Sequence, residues 1–193
     1  MSKVAIQGNV SGTGVFTLES PATNTDRTLI LPDEAGTVLT SAGVPASAMP
    51  AGSVIQVSHL TFATQYSTTT QYTYINTESL VVTPKRDNSK FIIQANGHLY
   101  HNITSGRGRL GFSVTQNGTT TRLAGVDSVN GDTWTIAYPG AEHHRLTVWN
   151  SNAPAGTPIT FTLLLGMYEA GTLYLNYAGY GQVTNFVVTE VAV

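Results

Sequence analysis

The chain contains no cysteine, which excludes disulfide staples and thiolate metal sites together. It is also short of charge: Lys, Arg, Asp and Glu make up 10% of its 193 residues, against about a quarter in an ordinary soluble domain. The net charge of −2 and the pI of about 6.2 create no field that would draw nucleic acid or an anionic membrane. Its cations are scattered, and Arg107 with Arg109 is the nearest approach to a cluster. No apolar run is long enough to cross a bilayer, and the start MSKVAIQGNVSG has no apolar signal-peptide core. The expectation is a protein made in a cytoplasm, with no nucleic-acid partner and no membrane insertion. Missing as well is any long segment with apolar residues at helical spacing.

What remains is rich in Gly, Thr, Val and Tyr, which favours strands and turns. A surface this poor in charge suits burial against neighbouring copies, so an oligomer is expected. Residues 12–40, GTGVFTLESPATNTDRTLILPDEAGTVLT, hold three short strand-like runs at 15–19, 27–31 and 37–40. Ser20-Pro21 with Asn24 and Asp26, then Pro32-Asp33 with Gly36, supply the turns between them. Strands this short bury too little to offset their own ordering entropy. Their apolar side chains (Phe16, Leu18, Leu29, Ile30, Leu31, Val38 and Leu39) therefore call for copies of the segment or a larger body to dock on. We read 1–44 as an anchoring and oligomerisation segment. Pro45 and Pro50 interrupt the Gly/Ala/Ser stretch that follows, so 45–52 reads as a semi-extended linker.

Residues 53–193 read as a β-sandwich head. Strand signals fall at 53–59, 71–76, 79–83, 91–103, 110–115, 120–124, 133–137, 145–149, 159–168, 172–177 and 184–193. In 91–103 Phe91, Ile93, Ala95, Leu99 and Ile103 share one face, while Gln94, Asn96, His98, Tyr100 and Asn102 share the other. Gly97 marks a bulge or a close approach by another backbone. Asn117-Gly118 is the strongest hairpin signal. The fold class expected is all-β: a strand-rich N-terminal anchor followed by a jelly-roll-like antiparallel β-sandwich.

Three stretches carry a family resemblance. Gly12-x-Gly14-x-Phe16, Pro21-Ala22-Thr23-Asn24-Thr25, Thr28-Leu29-x-Leu31-Pro32-Asp33 and Gly36-Thr37-Val38-Leu39 occur in that order. The order resembles the N-terminal segment of tail-fibre and other virion structural proteins of tailed bacteriophages, of marine or cyanobacterial type. SLVVTPKRDNSKFIIQANG and the closing FVVTEVAV with its single Glu190 are similar to the β-sandwich heads of such proteins; residues 100–180 are unmatched. The resemblance implies a homotrimer with jelly-roll heads around a three-fold axis, held on the virion by an adaptor, baseplate or major capsid protein.

Enzyme chemistry is not legible. His143 and His144 are adjacent, so on a strand they point to opposite faces, and His98 and His101 are split likewise. No metal or other cofactor is expected. No nucleophile elbow occurs, and the sparse acidic residues sit mainly in turns rather than as a convergent pair. Trp134, Tyr138, His143 and His144 concentrate in and after the excursion at 126–144, where exposed rings would suit sugar faces. Trp134 and Tyr138 fit core filling equally well, and Trp149, in a clean strand, reads as core. Tyr174, Tyr177 and Tyr180 could line a trimer axis. The reading is a non-enzymatic virion protein, a trimeric short tail fibre or fibre tip that binds host-surface glycan. The alternative is a capsid decoration, cement or head-fibre protein; a glycan-active tailspike ranks below both.

Overall fold

The structure is a computed structural model that describes residues 11–13, 15, 22, 24–26, 28, 44–123, 135–137 and 140–193. The anchoring residues Phe16, Leu18, Leu29, Ile30, Leu31, Val38 and Leu39 lie outside the described residues, as do Trp134 and Tyr138. Leu39–Val193 forms a compact unit. Its strands are Val54–Phe62 (β1), Tyr66–Thr68 (β2), Thr73–Val82 (β3), Lys90–His101 (β4), Arg107–Gln116 (β5) and Thr119–Arg122 (β6). They continue with Thr135–Ile136 (β7), Ala141–Asn150 (β8), Ile159–Met167 (β9), Leu173–Leu175 (β10) and Thr184–Val191 (β11).

These strands make two antiparallel sheets. The six-stranded sheet runs β1-β11-β4-β8, with β10 and then β2 continuing beside β4 past the end of β11. The five-stranded sheet runs β3-β9-β5-β6, with β7 also pairing β5. The first strand lies beside the last, and each sheet interleaves strands from both halves of the chain. This is jelly-roll order, and the expected all-β sandwich is what forms.

The core follows the alternation of the strands. Phe91, Ile93, Ala95 and Leu99 of β4 are buried, as are Leu110, Phe112 and Val114 of β5 and Phe161, Leu163 and Leu165 of β9. Phe112 stacks on Phe186 of the opposite sheet, with centroids 5.8 Å apart and ring planes 14° from parallel. Phe91 meets Phe161 at 5.1 Å. Ile103 falls beyond β4, in the turn to β5, and is only half-buried. Gly97 is needed for a close approach, but by side chains: a Cβ there would lie 2.7 Å from Thr184 Oγ1 and 2.8 Å from Leu175 Cδ1. The ladder with β8 passes Gly97 without a register shift, whereas the ladder with β11 ends at Asn96 and β10 takes over that edge at Leu99.

Local chemistry explains several details. Gln116 pairs with Thr119 across Asn117 (φ 51°) and Gly118 (φ 75°), the two left-handed residues of a two-residue hairpin turn. Two expected strands, 71–76 and 79–83, are one strand, β3, with a register shift between Asn76 and Ser79. Thr77 Oγ1 donates to Leu163 O at 2.9 Å there, which holds the irregularity against β9. The linker is not simply extended: Ala46–Ala48 closes one 3-10 turn, with Ala48 N donating to Pro45 O. The two head stretches that carry the family resemblance meet at Glu190, which is fully buried. Its carboxylate accepts from Lys85 N, Arg86 N, Ser89 Oγ and Gln56 Nε2, so the burial of its charge is compensated by four donors.

Candidate functional site

The outward face of β4 carries Gln94, Asn96, His98 and Tyr100, as alternation requires. The register with β8 sets His98 opposite Glu142 and Asn96 opposite His144. On the other side β11 sets Asn185 beside Asn96, and β10 sets Tyr174 beside Tyr100. Polar and aromatic side chains from four strands therefore converge on one end of the six-stranded sheet. Between them lies a cleft of about 230 Å³ lined by Asn96, Gly97, His98, Glu142, His144, Gln182, Val183 and Asn185.

A tyrosine cluster adjoins the cleft through one lining residue, His98, whose imidazole meets Tyr180; the tyrosines themselves are not part of the lining. Tyr100 and Tyr177 stack at 4.5 Å with planes 20° apart, and Tyr174 lies 5.1 Å from Tyr177. Tyr180 meets Tyr100 at 5.8 Å, Tyr177 at 5.7 Å and the His98 imidazole at 5.4 Å, each steeply inclined. The 3-10 turn Ala178–Tyr180 that presents it is held by Tyr180 N to Tyr177 O and by Ala178 N to Gln65 Oε1. Gly181 follows in the left-handed conformation (φ 59°) and lets the chain turn back into β11. Gly140 packs its backbone on His98, where a Cβ would lie 2.5 Å from Cε1.

The expected site residues separate. His143 is buried, at 7% exposure, and His144 faces out beside Glu142, with Nε2 3.6 Å from Oε2. His143 therefore offers no ring to a surface partner, which corrects its place among the surface contacts: residue i of a strand faces in when i+1 faces out. Burial, reinforced by the charges of Arg145, His144 and Arg109, pushes the His143 pKa down to about 4. His98 and His101 divide in the same way, with His101 fully buried and its pKa lowered by burial against a partial offset from Glu169. Trp149 is half-buried at the core edge, 6.0 Å from both Phe91 and Phe161.

Sequence reasoning missed Asn96, Glu142, Gln182 and Asn185. It assigned Tyr180 to a trimer axis and considered His98 only as a metal ligand. Among the described residues no group of three or more His, Asp or Glu could hold a metal. Other acidic groups are engaged in the fold: Glu169 pairs with Arg107 at 2.5 Å, and Glu78 accepts from Tyr66 Oη at 2.6 Å. The Glu78 hydrogen bond, with burial and the carboxylate charge adding to it, pushes Tyr66 up to about 12. Among the described residues Glu142 is the one carboxylate in the cleft lining. Such an arrangement can stack a flat apolar face on a ring and hydrogen-bond hydroxyls at its rim.

No protein-family model matches the chain, and neither does any curated protein. Among solved structures it is similar to one of infectious bursal disease virus, Gx strain (TM-score 0.36, 15% identity, 82% of this chain and 41% of that one). It is likewise similar to the VP2 subviral particle of that virus (TM-score 0.32, 18% identity, 80% of this chain and 42% of that one). A third likeness is to the CBM22-1 xylan-binding domain of Paenibacillus barcinonensis Xyn10C (TM-score 0.34, 16% identity, 76% of this chain and 99% of that one). The chain spans about two-fifths of the length of the viral chains it matches. These likenesses are too distant to carry an argument about function, and the sandwich stands on its own strand order.

Proposed function

We propose that the chain is a non-enzymatic structural protein of a tailed-phage virion, a trimeric short tail fibre or fibre tip. Its N-terminal segment attaches to an adaptor, baseplate or other virion protein, and its sandwich head meets the host surface. The observation that supports this best is the outer face of the six-stranded sheet. Val57, Leu146 and Val148 leave half or more of their surface exposed at one end, and rings and amides gather at the other. A face with that much unburied apolar surface and little charge suits contact with other molecules. The family resemblance of 12–40 supplies the particle.

Two measurements test this reading. Light scattering of the purified chain should report a trimer; a stable monomer at micromolar concentration would refute the oligomer. Quantifying the protein per particle, with a label to show where it sits, should place a few copies on the tail. Several dozen copies on the shell would overturn the fibre assignment in favour of capsid decoration.

A further inference from the structure

We infer that the cleft beside Tyr180 is a carbohydrate site that takes one neutral pyranose ring, its C–H face against Tyr180 and its hydroxyls toward the sheet. This deepens the host-surface part of the proposed function and rests on it only for where the sugar would be met. The binding itself is argued from the cleft.

Three features select the ligand. The first is the ring. Tyr100 and Tyr177 are stacked on each other, so their faces are largely spent, whereas Tyr180 keeps 47% of its surface exposed. Aromatic residues on the outside of a sheet would ordinarily be covered, and this one is held open by the hydrogen-bonded turn and by inclined contacts with two tyrosines and His98. A ring fixed in advance loses little entropy when a partner settles on it. The second feature is the lining. Asn96, Gln182 and Asn185 offer amides that both donate and accept, His98 and His144 offer imidazoles, and Glu142 accepts. Sugar hydroxyls, each a donor and an acceptor, match that mixture.

The third feature is what the lining lacks. Among the described residues neither Lys nor Arg lines the cleft, so a phosphate, sulfate or carboxylate would meet Glu142 without a Lys or Arg countercharge. This selects a neutral sugar over a nucleotide or an acidic saccharide. The volume of about 230 Å³ lies below the roughly 300–1,000 Å³ of sites that enclose drug-sized ligands. It therefore suits a single ring of a longer chain rather than an engulfed oligosaccharide. A second copy of this chain is the rival occupant. It would find its apolar surface at Val57, Leu146 and Val148, at the other end of the sheet, and not in a polar concavity.

The test uses the full chain and saturation-transfer NMR with four probes: the methyl pyranosides of glucose, galactose, mannose and N-acetylglucosamine. Ring C–H protons of at least one probe should receive saturation. Tyr180→Ala should weaken that binding about tenfold, the scale of one lost stacking contact. Tyr180→Phe should retain it, and Asn96→Ala should weaken it without touching the ring. Tyr180 is half exposed, so its variant should melt with the parent; if it misfolds, Asn96→Ala still decides the matter. Failure of all four probes to saturate overturns the site, as does saturation unchanged in both alanine variants. Self-association that Tyr180→Ala abolishes, with no sugar signal, would assign the face to a second copy instead. Loss of the sugar site would leave the virion assignment to its own test, the count and place of copies on the particle. A position off the particle would leave the sugar result intact.

Discussion

The two sheets treat the aromatic groups on their outer faces differently. On the five-stranded sheet Tyr74, Leu164 and Arg109 are buried although they point away from the main core. The Arg109 guanidinium lies 4.8 Å from the Tyr74 ring centroid and that of Arg122 lies 5.7 Å from it. Tyr74 in turn lies over Gly166, where a Cβ would fall 2.5 Å from the ring. On the six-stranded sheet Leu146 is 57% exposed, and Tyr180, in the turn before β11, is 47% exposed. Both faces carry tyrosines, so residue type does not distinguish them. What differs is that one aromatic group is sealed and spent on stability, whereas the other is fixed yet accessible. Fixed, accessible rings are what a binding surface requires.

Paired substitutions can break that comparison. Leu164→Ala on the sealed face should cost about 2–5 kcal/mol, the range for a buried leucine, whereas Leu146→Ala on the open face should change stability by less than about 0.5 kcal/mol. Chemical denaturation of the two variants measures both; equal costs would mean that the faces do not differ. The adjacent histidines give a second contrast. His143 has its pKa pushed down from 6.5 to about 4, so above pH 6.5 it is neutral folded and unfolded and contributes no pH dependence. As pH falls below 6.5 the unfolded chain takes up a proton that the folded chain refuses, and stability drops until the folded group also titrates near pH 4. The full effect is on the order of 3 kcal/mol. His143→Gln should flatten this slope in thermal melts between pH 7 and pH 4, leaving a remainder in the same direction from His101.

Hydroxyl deletions give a smaller contrast. Tyr66→Phe removes the hydrogen bond to Glu78 and should cost about 1 kcal/mol. Tyr74 Oη is buried with no hydrogen-bond partner among the described residues, so Tyr74→Phe should be neutral or slightly stabilising, by less than about 1 kcal/mol. A large loss in Tyr74→Phe would show that the hydroxyl has a partner on the sealed face. A last contrast concerns the linker and the head. A fragment beginning at Ala51 should still fold, losing the bonds from Arg86 Nη1 to Met49 O and from Ser53 N to Pro50 O, about 1 kcal/mol each. Circular dichroism that shows an unfolded fragment would place more of the head's stability N-terminal to Ala51.

How far the fold could be read follows from the range of the forces involved. The inward and outward faces of β4 were legible because alternation is a property of one strand. The Asn117-Gly118 turn was legible because its dihedrals are local. Tyr66–Thr68 was not: three residues show no periodicity, and β2 exists because β10 offers it an edge. Residues 73–82 looked like two strands because Thr77 and Glu78 break the alternation, yet β9 carries the ladder past them. In the site, the sequence showed that His98 and Tyr100 share a face and that His143 and His144 do not. It could not show that Asn96 and His98 meet His144 and Glu142, since that depends on pairing residues almost fifty positions apart.

The sequence by itself therefore determined the class of the molecule. Absent cysteine, sparse charge and alternating apolar residues lead to an all-β sandwich, because composition and period two act within each strand. Tertiary structure alone decided which tyrosines are sealed and which are open, and which of two neighbouring histidines can meet a partner in the cleft. Those outcomes follow from strand order and register, and the free energy that sets them comes from contacts between segments far apart in the chain.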